Sequence, residues 1–379
     1  MTFIFLFIAC LYALFTSVLW IIWLRIPAGL YVGLPDPPLP RLSVIIPVRN
    51  EAGQIAELLA DLDRQTYRHF EVIVADDAST DSTAAIVQAF VPDASFPLTL
   101  LPLQEIGAAS PKKRAITQSI RLATGDLIVT TDGDCRVGPG WLGSFAAFYR
   151  QTGAKLISGP VSFLPPAGSF TGRLFTALQT VEFASLIGSG ATTLHAGAPT
   201  MCNGANLCYE KAVFYEVNGF AGVDHLASGD DEFLMHKIAG RYPTGVRFLK
   251  SPDAIVLTAA HQSLTAFYNQ RRRWASKWQA YQSRWPSVLA VFVFLCNLAP
   301  LMALACWLTG SITGSGFVLI LLLKVFPEFL FLRQILLFLQ KKSLVPAIFL
   351  TALVYPFYVV FFGLAAQGKG YQWKGRKLN

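Results

Sequence analysis

Three acidic groups and one basic-aromatic run carry the residue types that could do chemistry. Asp132-Gly133-Asp134 sets two carboxylates two residues apart around a glycine. At a strand end such a pair can point into one site, and its oxygens suit Mg²⁺ or Mn²⁺ carrying phosphate. A solvated turn is the plainer reading. A calcium loop would need an acidic or amide side chain at its fifth position, Gly at its sixth and Glu at its twelfth. Arg136, Val137 and Gly143 stand there, which excludes it. In Asp76-Asp77-Ala78-Ser79-Thr80-Asp81 the doubled Asp can accept hydrogen bonds from a nucleobase or ribose, while Ser79 or Asp81 could simply cap the next helix. Gly229-Asp230-Asp231-Glu232 offers a general base, or only a first helical turn whose acids the helix dipole favours. Gln270-Arg271-Arg272-Arg273-Trp274 could clamp a pyrophosphate and stack on a sugar, or lie as a basic stripe against lipid headgroups.

Other chemistries lack their residues. Neither GxGxxG after a strand nor GxxxxGK[ST] occurs, nor a nucleophile elbow or HExxH. His69, His195, His225, His236 and His261 form no spaced ligand set, and the six cysteines include no CxxC pair. Those cysteines read as reduced thiols filling small apolar spaces.

The elements that must position the acids are legible in the pattern. Leu42–Val48 is a short apolar run that reads as a buried strand, with Asn50 capping a helix that runs through Gln65. Phe70–Ala75 is the next strand and ends on Asp76-Asp77. A helix near Ser82–Phe90, a strand near Leu98–Leu101, a helix opening on Lys112-Lys113-Arg114 and a strand over Asp126–Thr131 complete the series. Strand and helix alternate, so the class is α/β with a mostly parallel sheet, whose ligand-binding edge is the C-terminal one.

Around this segment the chain is apolar. Of 379 residues, 53% are hydrophobic and 14% charged, against about 25% charged in a soluble domain. Mean hydropathy is +0.47 and the net charge is +8. That excludes a plain cytosolic domain and a disordered chain. Thr2–Trp23 reads as an uncleaved anchor, and Arg25 and Arg41 place the α/β segment in the cytoplasm. Ser287–Leu308, Phe317–Leu339 and Leu344–Ala365 are each near spanning length, and Lys324 and Glu328 can pair within the middle run. The basic tail fits the inside better than the outside, so one of the last two runs is expected to be re-entrant or interfacial. Phe267, Trp274, Trp278, Tyr281 and Trp285 share one helix face, as on a helix lying in a membrane interface. The expected organisation is an anchor over 1–25, a Pro-rich linker over 26–40, a catalytic domain over 41–262, an interfacial helix over 263–285, membrane segments over 286–366 and a basic tail over 367–379. No basic arm or nucleic-acid motif is present, so nucleic acid is not an expected partner.

Taken in order, Val44-Ile45-Ile46-Pro47-Val48-Arg49-Asn50-Glu51, Asp76 to Thr83, Asp132-Gly133-Asp134, Gly229-Asp230-Asp231 and Gln270 to Trp274 resemble the family 2 glycosyltransferases. That membrane-anchored group includes cellulose synthases, hyaluronan synthases and ceramide glucosyltransferases. The resemblance implies a GT-A fold: a Rossmann-like half for a nucleotide-sugar donor and a second half for the acceptor. It implies that Pro47, Asn50, Glu51, Asp76 and Asp77 hold the nucleoside and that Lys112 or Lys113 reaches the diphosphate. Asp132 and Asp134 would hold Mg²⁺ or Mn²⁺, with Gln270 and Arg273 on the diphosphate. Asp231 would be the base, with Asp230 as the alternative, because Gly229-Asp230-Asp231 stands where the family often has Thr-Glu-Asp. Trp274, with Asn203, Gly204 and Asn206 of Met201–Asn206, would meet the acceptor. The expected enzyme is an inverting hexosyltransferase of a bacterial-type inner or plasma membrane, its donor UDP-linked by family frequency.

Two other readings stay open. A processive polysaccharide synthase shares the chemistry, but the chain has few spans for a polymer channel, which would need a larger bundle or a homo-oligomer. A lipid-linked acceptor is therefore preferred to a growing glycan. A transporter-like protein with a ligand-binding domain would use Lys324 and Glu328 in a span.

Overall fold

The computed structural model describes residues 2–29, 39–104, 110–226, 228–275, 285–365, 371–373 and 376–378. The strands are β1 Leu42–Val48, β2 Phe70–Asp77, β3 Leu98–Leu103, β4 Leu127–Thr130, β5 Arg136–Val137, β6 Leu156–Ser158, β7 Val161–Phe163, β8 Leu207–Glu210, β9 Val246–Phe248 and β10 Val256–Thr258. The helices are α1 Thr2–Arg25, α2 Ile55–Asp63, α3 Thr83–Phe90, α4 Pro111–Leu122, α5 Trp141–Thr152, α6 Phe170–His195, α7 Lys211–Glu216, α8 Asp230–Arg241, α9 Leu264–Ala275, α10 Trp285–Leu308, α11 Gly314–Phe338 and α12 Ala347–Ala365. Tyr371–Trp373 and Arg376–Leu378, in the expected basic tail, pair as a two-stranded sheet.

The chain forms two units. One comprises Pro27–Leu164, Thr193–Ala259 and Gln372–Asn379, and the other Met1–Ile26, Pro165–Thr192 and Ala260–Tyr371. In the first, a seven-stranded sheet runs β3-β2-β1-β4-β8-β6-β9. β1 pairs parallel with β2 and β4, and β2 pairs parallel with β3. β8 lies antiparallel between β4 and β6. The sheet is therefore mixed. β1 and β4 are buried on both faces, with Leu42, Val44, Ile45, Ile46, Leu127, Ile128 and Val129 at 0% exposure, which is why they read as predominantly apolar runs with no polar alternation. From β1 the chain winds outward to β2 and β3, then crosses to β4 on the other side. That reversal opens a crevice at the C-terminal ends of β1 and β4.

One expected helix starts late. α2 begins at Ile55 with Gln54 as N-cap, not at Asn50. Asn50 has φ 53° and its side-chain oxygen accepts from Thr80 N at 2.8 Å, so it cannot cap α2.

Among the described residues, the helical unit contains four helices long and apolar enough to cross a membrane: Thr2–Arg25, Ser287–Leu308, Gly314–Phe338 and Ala347–Leu364. Both candidates for a broken or re-entrant run are continuous helices, with Pro327 and Pro356 inside them. Lys324 and Glu328 are buried and pair with each other, and the Tyr12 hydroxyl donates to Glu328 Oε1 at 2.6 Å. Charges inside an apolar helix persist when they pair and face protein. Tyr12 and the ion pair thus join α1 to α11. α6 adds a helix with apolar residues on several faces, of which Ala177, Val181, Ala184, Ile187, Ala191 and Leu194 are buried in one line along it.

Candidate active site

The loop after β1 is laced to the loop after β2. Arg49 Nη1 donates to the carbonyls of Asp77 at 2.6 Å and Ala78 at 2.9 Å. Asn50 N donates to Ser79 Oγ, Glu51 N to Thr83 Oγ1 and Ala52 N to Asp81 Oδ2, at 3.0, 2.8 and 3.1 Å. Asp76 accepts from the Ser79 hydroxyl, and Asp77 Oδ1 from Arg114 Nη2 at 2.6 Å. Asp76 and Asp77 are both buried at the end of β2, where Asp76 lies opposite Val48.

Asp132-Gly133-Asp134 comes directly after β4. A Cβ on Gly133 would lie 2.8 Å from Val48 Cγ1 and 3.1 Å from Glu51 Cγ. Only glycine lets this turn press against the end of β1. Asp134 Oδ2 accepts from Thr258 Oγ1 at 3.2 Å. The neighbouring Cys135 thiol is pushed up by burial, then by Asp134 and Asp132, and so stays protonated.

α4 opens with three basic residues, each about 100° further round the helix. They go three ways. Lys112 Nζ sits 2.7 Å from Asp132 Oδ1 and 3.4 Å from Asp230 Oδ2. Burial works against this ammonium, but Asp132 and Asp230 outweigh it and raise its pKa above the ordinary lysine range. Arg114 reaches Asp77. Lys113, a candidate for the diphosphate, turns elsewhere: its Nζ donates to the carbonyls of Val223, Leu226 and Ser228 at 2.6, 2.7 and 3.1 Å.

α8 starts after Gly229, whose φ is 81°. Its acids form a first helical turn, and one of them comes close to the carboxylate of Asp132. Asp230 shares Lys112 with Asp132. Asp231 Oδ2 accepts from Gly204 N at 2.9 Å and Oδ1 from Glu232 N at 2.8 Å. Gly204 leaves room for this, since a Cβ there would lie 3.0 Å from Asp230 Oδ2. Thr130 Oγ1, which the sequence did not single out, holds the Gly204 carbonyl at 2.9 Å.

The Asn203-Gly204-Ala205-Asn206 loop divides. Asn203 Oδ1 accepts from Ala205 N. Asn206, expected on the acceptor side, is fully buried. It donates to the carbonyls of Pro160 and Ala254 and accepts from Trp141 Nε1, so its polar atoms are spent in the core.

Asp132, Asp134, Asp230, Asp231, Lys112 and Gly204 thus belong to one connected set of loops in the α/β unit. Among the described residues no group of three or more His, Cys, Asp or Glu is arranged as a metal cage. Two carboxylates on a glycine turn still fit a hard cation that keeps waters and takes its remaining oxygens from a bound phosphate. Pro47, Asn50 and Glu51 lie beside this edge at the end of β1.

Gln270, Arg273 and Trp274 lie on α9 in the helical unit. On α9 Arg271 is buried, at 3% exposure, in an ion pair with Glu182 of α6. Glu182 Oε1 also accepts from Tyr358. Gln270 Oε1 accepts from Arg271 Nη1 at 3.0 Å. The Trp274 ring lies 6.0 Å from that of Phe183 and 4.3 Å from the Arg271 guanidinium. Trp278 and Tyr281 lie outside the described residues.

Comparison with known proteins bears on the family and the fold. The family model "Glycosyl transferase family 2" matches residues 43–173, and "Glycosyl transferase family group 2" matches residues 127–366. "Glycosyltransferase AglE" of Haloferax volcanii is 29% identical over 195 residues, 51% of this chain and 59% of that protein. A "Poly-beta-1,6-N-acetyl-D-glucosamine synthase" of Staphylococcus aureus is 26% identical over 244 residues, 62% of this chain and 53% of that one. The chain thus spans between half and two thirds of the length of these relatives. The solved "Mannosyltransferase PcManGT from Pyrobaculum calidifontis in complex with GDP-Man and Mn2+" covers 91% of this chain and 98% of its own, at 21% identity and a TM-score of 0.56. The α/β unit has the GT-A fold. The second family match runs from β4 and the DGD turn through α8 and α9 into the helical unit, and the chain belongs to the family 2 glycosyltransferases.

Proposed function

We propose that this chain is a membrane-bound, inverting glycosyltransferase that moves a sugar from a nucleotide-sugar to the hydroxyl of a lipid-linked acceptor. The observation that carries the reading is the acidic set around Lys112: Asp132 on the nucleotide-side turn and Asp230 on α8 share one ammonium, with Asp231 one residue on. Relatives named as glycosyltransferases support the reaction class. The similar mannosyltransferase was solved with GDP-Man and Mn²⁺, which supports a nucleotide-sugar donor and a divalent cation here.

The acceptor hydroxyl is a weak nucleophile at neutral pH. Asp231 takes its proton as the oxygen attacks the anomeric carbon, a general-base contribution of about 10²–10⁴-fold. A single displacement inverts that carbon and releases a nucleoside diphosphate. Lys112 turns from Asp132 to the diphosphate as negative charge grows there. A divalent cation held by Asp132 and Asp134 would supply Lewis-acid stabilisation of the leaving group. Pro47, Asn50, Glu51, Asp76 and Asp77 line the nucleoside side. Asn203 and Gly204 face the acceptor side.

UDP-sugars are the first donors to try. The purified chain in detergent would be given a panel of nucleotide-sugars and membrane lipid extract, with and without EDTA. Mass spectrometry should find a glycosylated lipid, nucleoside diphosphate release should match it, and EDTA should abolish both. Absence of turnover with every donor sinks the reading, and a long glycan product would favour a processive synthase. The transporter-like alternative loses its motive, because Lys324 and Glu328 pair with each other and with Tyr12.

A further inference from the structure

Lys113 is 2% exposed and lies between Asp132's partner Lys112 and Asp77's partner Arg114 on α4. An ammonium has three N–H donors. All three are matched by the carbonyls of Val223, Leu226 and Ser228, at 2.6, 2.7 and 3.1 Å. The same ammonium sits 5.3 Å from the centre of the Phe233 ring on α8. Ser228 is followed at once by Gly229, the N-cap of α8, and then by Asp230 and Asp231. A second lysine treats the start of this segment in the same way: Lys237 Nζ donates to the carbonyls of Gly219 and Ala221, at 2.7 and 3.1 Å. The segment into α8 is thus folded around two ammonium groups. Lys113 holds the end next to the acids, and Lys237 holds the far end.

We propose that Lys113 is a positioning residue for the transfer step. By fixing the carbonyls of Val223, Leu226 and Ser228 to α4, it sets the start of α8 and so the direction of the Asp231 carboxylate against Gly204. Lys112 and Lys113 then divide the work between neighbours on one helix. The first meets the carboxylates, and the second meets the backbone that carries two of them. Losing Lys113 leaves the nucleotide side intact but lets Asp231 wander. Arginine cannot replace it fully, because a planar guanidinium does not radiate three donors from one nitrogen to three carbonyls around it.

The inference rests on Asp231 acting as the base, so the test has an arm that does not need turnover. Lys113→Met, Lys113→Arg and Lys237→Met would be compared with wild type. The measurements are kcat, donor KM, nucleotide binding by calorimetry, and hydrogen exchange of residues 223–232. Lys113→Met should lower kcat at least 30-fold, keep donor KM and nucleotide affinity within about threefold, and speed exchange across 223–232. Lys113→Arg should recover part of kcat, and Lys237→Met should keep kcat within about threefold. A kcat within threefold of wild type in Lys113→Met overturns the proposal, as does a large donor KM rise at constant kcat, which would make Lys113 a donor ligand. If Lys113→Met does not fold, Lys113→Arg decides: unchanged kcat with unchanged exchange overturns it. Wild-type protein without transferase activity defeats the function and leaves the exchange arm to judge the clamp.

Discussion

Lys112 Nζ lies between two carboxylates, 2.7 Å from Asp132 Oδ1 and 3.4 Å from Asp230 Oδ2. Both acids hold the lysine charged well past the ordinary lysine range, so its titration sets no limb of a pH profile in the working range. Lys112→Met should therefore raise donor KM about tenfold or more, since a hydrogen bond to a charged group contributes about 1.5–3 kcal/mol. Mn²⁺ affinity should hold or improve, because the competing cation is gone. Calorimetry with Mn²⁺ alone and with Mn²⁺ plus nucleoside diphosphate separates the two. Unchanged donor KM would remove Lys112 from the donor site.

Asp230 and Asp231 are neighbours with different partners, so their amides should differ. Asp231→Asn should lower kcat by about 10²–10⁴, the range for a lost general base, with nucleotide affinity within threefold. Asp230→Asn removes a charge that faces Lys112 and should act mainly on donor KM. Steady-state kinetics on both variants checks this. Equal kcat losses would leave the base unassigned.

Gly133 meets the end of β1 with no room for a methyl group. Gly133→Ala forces a carbon 2.8 Å from Val48 Cγ1, an overpacking that costs about 1–3 kcal/mol. It should also push Asp132 and Asp134 off their positions. We expect a lower Tm and a weaker Mn²⁺ response together. A drop in Tm with normal Mn²⁺ dependence would show that the turn relaxes elsewhere.

How far the sequence is legible depends on how local each signal is. β1, β2 and β4 are predominantly apolar runs, and β2 ends on a doubled Asp, so both strand and edge can be read from a few residues. Nothing local announces that Leu207–Glu210 inserts antiparallel between β4 and β6, because a four-residue strand's partners are chosen by tertiary packing. The position of Asn50 misleads for a physical reason: a cap residue looks the same as an Asn that takes φ 53° and spends its oxygen on a neighbouring loop. Asn206 likewise sits in a Gly/Asn loop, yet its amide ties Pro160, Ala254 and Trp141 together in the core. Lys113 could have been separated from Lys112 by helix geometry alone, since successive side chains on α4 cannot share a direction. Glu182 carries no local signal, because a single acid among the apolar residues of α6 does not show which arginine it will meet.

Within Gln270–Trp274, Arg271 is committed to a buried pair with Glu182. Its guanidinium meets Glu182, stacks 4.7 Å from the centre of the Phe267 ring and lies 4.3 Å from that of Trp274. Tyr358 of α12 completes the carboxylate's shell through its hydroxyl at 3.0 Å, so the pair ties α6, α9 and α12 within the helical unit. Removing one partner of a buried pair strands the other charge, at a cost of about 3–5 kcal/mol. Arg271→Met alone should therefore lower thermal stability in detergent sharply. Arg271→Met with Glu182→Gln should restore much of it, because no uncompensated charge remains. Trp274→Ala removes one aromatic wall and should cost less than Arg271→Met. If Trp274 also meets the acceptor, its acceptor KM rises while Tm moves little. Thermal unfolding of Arg271→Met, Glu182→Gln and the double variant gives the coupling between Arg271 and Glu182 directly. Additive losses would mean the two residues do not stabilise each other.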